Sequence, residues 1–123
     1  MKRVILAIAA LVVTAGAVAH HSFAVFFDTE DKVTSVTGTV RDFQFHNPHG
    51  VITLDVATAK GTVVWRAETN SPSLLKRRGW TAESLHVGDK VTLEGWRARD
   101  GSNYIRMRSA KFVDGRPIGQ PIG

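Results

Sequence analysis

Residues 62–79, TVVWRAETNSPSLLKRRG, decide the fold, because the hydrophobic period changes inside them. Val63, Trp65 and Ala67 fall on every second position and share one face, the pattern of a strand over 62–68. Ser71-Pro72 then opens a helix. Ser71 suits the cap, where a side-chain oxygen takes up a free backbone N–H, and Pro72 suits the first helical position, where no N–H is needed. Leu74 and Leu75 can turn toward a core, and Lys76, Arg77 and Arg78 lie near the helix end, where cations oppose the dipole. Gly79 can stop the helix.

Outward from this switch the chain reads as strands. Residues 33–45, VTSVTGTVRDFQF, are rich in β-branched and aromatic side chains and form a long first strand, with Gly38 placed for a bulge or bend. Asn47-Pro48 with Gly50 is turn chemistry. Residues 51–57 alternate, with Ile52, Leu54 and Val56 on one face and Thr53 and Asp55 on the other. Lys60-Gly61 turns the chain into strand three. After the helix, residues 81–85 can add one further turn. Residues 87–96 form strand four with Val87, Val91 and Leu93 inward, Asp100-Gly101 makes a turn, and residues 104–113 form strand five with Ile105 and Met107 on one face.

Three strands, a helix and two strands predict a mainly β domain: a five-stranded OB-like Greek-key barrel with its helix between strands three and four. A bent first strand serving both halves of the barrel fits that order, as does the turn Leu85-x-x-Gly88-Asp89-x-Val91. An open β-sandwich with a crossover helix is the alternative.

The ends add a location. Lys2 and Arg3, the apolar run 4–13 and the small residues Ala17 and Ala19 match a signal peptide over 1–19, cleaved before His20. The expected organisation is a leader at 1–19, an arm at 20–32 whose Phe23, Val25, Phe26 and Phe27 can dock on the domain, a barrel at 33–113 and an irregular tail at 114–123. The chain has 123 residues, so the mature part suffices for one small core. It holds no second run long enough to span a membrane. A periplasmic or secreted location follows. With no cysteine, stability comes from packing, and thiolate-metal or thiol chemistry is excluded. The net charge of +5 includes Lys2 and Arg3; without them it is +3, ordinary for a soluble exported protein.

Four of the five histidines form two tight pairs, His20-His21 and His46-Asn47-Pro48-His49. Cleavage before His20 would leave an amine and an imidazole on one residue, a ready chelate. One more imidazole from the HNPH turn would complete a planar three-nitrogen set, which suits Cu(II). The candidate ligands are therefore His20 and His49, with His21 or His46 assisting. The alternative is a structural turn whose ring meets a backbone carbonyl. His86 reads as a surface residue.

No catalytic signature is found: no G-x-S-x-G, no S-x-x-K and no nucleotide fingerprint. Asp42, Asp55 and Glu68 read as surface groups or ion-pair partners, and the expectation is a non-enzyme. Arg97, Arg99, Arg106 and Arg108 with Trp96 and Tyr104 could make a stacking and phosphate-binding face. Export argues against nucleic acid, and a solvated hairpin with arginines packed across aromatic rings is preferred. Trp65 and Trp80 read as core or edge-of-core residues.

Several of these motifs recur together. The segment HHSFA at 20–24, Gly38-Thr39-Val40, Asn47-Pro48-His49, Trp65, Glu68, Ser71-Pro72 to Leu75, Gly79-Trp80, Gly88-Asp89-x-Val91 and Arg99-Asp100-Gly101 resemble a family of small exported bacterial proteins classed as a domain of unknown function. Phe45-His46 departs from the aromatic, such as tryptophan, that the family carries ahead of Asn-Pro-His. By that comparison His49 is a better ligand than His46. The resemblance implies export and a compact β-rich domain and supplies no activity. The expected function is an exported binding protein for a copper-like ion. The alternative is a metal-free module contacting an envelope protein or polymer.

Overall fold

The computed structural model describes residues 24–30 and 32–121. The sequence order survives intact: β1 (Thr34–Gln44), β2 (Val51–Thr58), β3 (Gly61–Glu68), α1 (Pro72–Arg77), β4 (Lys90–Arg97) and β5 (Tyr104–Phe112). The strands close into a barrel in the order β1-β2-β3-β5-β4, the OB-type arrangement rather than an open sandwich. Four of its pairings are antiparallel; β3 and β5 run parallel, with Ala67 opposite Ile105 and Glu68 opposite Arg106.

β1 serves both halves of the barrel. Its first part, from Thr34 opposite Gly95 to Thr39 opposite Lys90, pairs with β4, and its second part, to Gln44 opposite Val51, pairs with β2. Gly38 lies where these halves meet. A Cβ there would stand 2.6 Å from the Asp55 carbonyl oxygen, so only glycine lets β2 approach. The register shift itself falls between Val40 and Asp42. Beyond Gly38, the Gly88-Asp89 turn takes over from β4: Val40 N–H donates to Asp89 O and Gly88 N–H to Val40 O, both at 2.8 Å. That pairing places Val87 on an outward turn before β4 begins. It is 74% exposed, which corrects its expected inward place.

Ser71 caps α1 by accepting from the Leu74 N–H at 3.4 Å, and Pro72 takes the first turn. Leu75 and Trp80 are both buried in the barrel core with Ile52, Leu54, Val91, Leu93, Ile105 and Met107. Residues 81–85 make turns rather than helix. The tail folds back: Lys111 bridges Pro117, Ile118 N–H donates to Ala110 O at 2.9 Å, and Ile118 enters the core. No helix of the described residues is long and apolar enough to cross a membrane.

Candidate functional site

The strand registers bring three chain segments to one end of the barrel. β1 ends and β2 starts there, β3 ends there, and β4 passes to β5 there. Two hydrogen bonds lock the β1–β2 loop to the β3 exit, Thr69 N–H to Gly50 O at 2.9 Å and Gly50 N–H to Asn70 O at 3.3 Å. His49, the residue before Gly50, is thereby set beside Glu68, the last residue of β3. His49 Nε2 lies 3.6 Å from Glu68 Oε1, an ion-pair distance rather than a hydrogen bond.

Glu68 is held from a second side. Tyr104, the first residue of β5, donates its phenolic O–H to Glu68 Oε2. Burial, reinforced by this bond and by the carboxylate charge, pushes the Tyr104 phenol above its ordinary 10.0. Arg106 follows two residues later, opposite Glu68 in the register. It is 5% exposed, donates through Nη1 to the Thr69 carbonyl, and is lowered from its ordinary pKa by burial, against which the Glu68 charge works. The expected solvated hairpin is therefore corrected at Arg106, whose side chain is enclosed. At Arg97 the expected packing is found, with its guanidinium 5.0 Å from the Trp65 ring centroid.

The arm forms the remaining wall. Phe27 bridges Ala98, Arg99 N–H donates to Phe26 O at 2.9 Å, and Arg99 Nε donates to Ala24 O at 2.8 Å. Phe27 is buried, with its ring tilted against Tyr104 at 5.3 Å. Val25 and Phe26 are each 65% exposed, so of the apolar side chains described in the arm, Phe27 alone docks by burial. Phe23 lies outside the described residues.

Phe26, Phe27, His49, Glu68, Ala98, Asp100 and Tyr104 together line a cleft of about 390 Å³. It opens between the β1–β2 and β4–β5 loops, the part of an OB barrel where ligands are usually met. Asp100 is fully exposed at its rim; the Ser102 side chain and backbone N–H hold its carboxyl below the usual range. Periods of two and 3.6 do not reveal that Glu68 and Tyr104 meet. The only sequence signal was that each stands at a strand boundary.

Of the histidines expected as ligands, His49 lines the cleft. His46 is exposed and does not line it; its Nδ1 is 3.3 Å from the Asn47 carbonyl. His20 and His21 lie outside the described residues. Among the described residues, no three His, Asp or Glu side chains are grouped to hold a metal ion. His86 is a surface residue facing Glu83 at 3.1 Å.

No curated protein matches this chain. Among solved structures, the crystal structure of the mitochondrial single-stranded DNA binding protein Rim1 from S. cerevisiae is similar, with a TM-score of 0.51 and 12% identity over 69% of this chain and 95% of that one. At that identity the likeness concerns the fold alone. A family model described as a family of unknown function, DUF6152, matches residues 8–106, and the chain belongs to that family.

Proposed function

We propose that this chain is a small exported binding protein, periplasmic or secreted, whose ligand sits in the cleft between the β1–β2 and β4–β5 loops. In this reading it holds a copper-like divalent ion through the amine and imidazole of His20 together with His49, and His21 or His46 assists. It binds and does not catalyse.

One observation carries the reading: the arm that leads back to His20 is fastened to the same cleft that His49 lines. From Ala24, whose carbonyl is tied to Arg99, four residues of extended chain span at most about 14 Å, which limits how far from that tie the proposed amine and imidazole can lie. Glu68, whose Oε1 lies 3.6 Å from His49 Nε2, adds a carboxylate to the lining of the same cleft, a negative charge that favours a cation there.

The test is a Cu(II) titration, against a competing chelator, of protein that begins at His20 with nothing ahead of it. Tight binding of one ion is expected, lost when His20 and His49 are both replaced by alanine. No tight binding, or equal binding by the double variant, contradicts the metal reading.

The second reading is a metal-free module contacting an envelope protein or polymer. It is favoured by His46, which is exposed, does not line the cleft and has Nδ1 3.3 Å from the Asn47 carbonyl, the structural role open to a turn histidine. Partner capture that survives substitution of every histidine would support it over the first.

A further inference from the structure

We infer that the cleft takes an organic monocation, a single ammonium or guanidinium group, against Glu68, Asp100 and the exposed ring of Phe26. This rests on the cleft being the ligand site, and not on the metal.

The first ground is charge placement. The chain is basic, with a net charge of +5, and four arginines surround this end of the barrel. None of them lines the cleft. Arg97 lies over Trp65 and donates to the Gly101 and Ser102 carbonyls. Arg99 is tied to Ala24 O and faces Asp28. Arg106 is buried against Thr69 O. Arg66 sits over the Tyr104 ring. The formally charged side chains that do line the cleft are two carboxylates. Arg106, opposite Glu68 across the β3–β5 seam, turns its Nη1 to the Thr69 carbonyl and does not line the cleft.

The second ground is the wall itself. Aromatic faces attract cations, more so when water is excluded. Tyr104 shows this chemistry but is already engaged, with the Arg66 guanidinium 5.7 Å from its centroid and the Phe27 ring at 5.3 Å, so the ring open to a further cation is that of Phe26. Phe26 is an aromatic ring 65% exposed at the cleft, and the burial of neighbouring Phe27 gives it a fixed base. A cleft of about 390 Å³ accommodates a small molecule or one side chain. The same chemistry can arrive as a free amine or as an arginine or lysine side chain of a partner protein.

The experiment is an amide chemical-shift titration of the metal-stripped chain with butylammonium, with butylguanidinium and with an N-acetylated, C-amidated Gly-Arg-Gly peptide. Sodium chloride at matched ionic strength and butyrate serve as controls. Saturable shifts at Glu68, Ala98, Asp100 and Tyr104 are expected with the cations only. Tighter binding of the peptide identifies a protein side chain as the source; equal or weaker binding identifies the free amine. Asp100→Asn retains the acceptor of the Ser102 turn, and Phe26→Ala removes an exposed ring, so both variants keep the fold. Each is expected to weaken binding by about threefold or more. Shifts reproduced by sodium chloride or butyrate, or affinities unchanged in both variants, overturn the inference. Copper binding with no cation binding would overturn it and leave the proposed function standing. Cation binding without copper would remove the metal and leave the cleft.

Discussion

Tyr104 gives its phenolic hydrogen bond to Glu68, joining the first residue of β5 to the last residue of β3 at the seam that closes the barrel. Fold and candidate site thus share one contact. Tyr104 is the only tyrosine in the chain, so its ionisation can be read alone by ultraviolet absorbance. Below pH 10.0, the ordinary phenol value, folded and unfolded chains both keep the proton and the full contribution to stability is present. Above it the unfolded chain loses its proton first, so stability falls as pH rises toward the higher folded value. The folded protein is expected to show no phenolate at pH 10, with loss of stability on further alkalinisation. A phenolate appearing in the folded chain near the ordinary value would contradict the contact.

Tyr104→Phe is expected to remove that alkaline slope relative to the parent. At neutral pH it costs about 1–3 kcal/mol, because Glu68, with an 18% exposed side chain, loses a donor. Urea denaturation of both proteins at neutral and alkaline pH measures both effects. Equal slopes in the two proteins would show that the alkaline loss has another origin.

Gly95 is the tightest point of the β4–β5 pairing. A Cβ there would stand 2.1 Å from the Arg106 carbonyl oxygen, at the register shift between Glu94 and Gly95. Gly95→Ala is expected to lose about 3 kcal/mol or more, or to fail to fold, because backbone rather than a flexible side chain must give way. Gly61→Ala, with nothing within 4 Å of its Cβ, controls for the strain of a positive-φ turn. A Gly95→Ala loss no greater than that of Gly61→Ala would contradict the close approach.

Ile118 anchors the returning tail in the core. Ile118→Ala is expected to cost about 2–4 kcal/mol in chemical denaturation, as for a buried branched side chain leaving a cavity. A loss under about 0.5 kcal/mol, the level of a surface substitution, would show that the tail is not part of the packed domain.

The barrel was legible because its signals are local. Val63, Trp65 and Ala67 alternate, Ser71-Pro72 marks the helix start, and Gly38 marks the bend of β1. Misplaced residues owe their positions to contacts distant in sequence. Val87 is turned out because Gly88 and Asp89 pair with Val40. Arg106 carries a charge, which reads as surface, yet closure of β3 against β5 encloses it. Glu68 reads as an ordinary strand carboxylate until the parallel β3–β5 pairing, which sets Tyr104 opposite Arg66, lets the Tyr104 phenol reach Glu68 from 36 residues away. The spacing of the HNPH turn does not separate His46 from His49, and only the family resemblance favours His49; in the fold, the bonds between Gly50 and the β3 exit set His49 beside Glu68.

The most direct test of the cleft as the binding site is paramagnetic mapping. Substoichiometric Cu(II) added to the isotopically labelled chain beginning at His20 broadens amide signals near the bound ion. The expected result is broadening concentrated at His49, Glu68, Ala98, Asp100 and Tyr104, and abolished when His20 and His49 are replaced. Broadening centred on His86, or spread over the surface without a focus, would contradict the account.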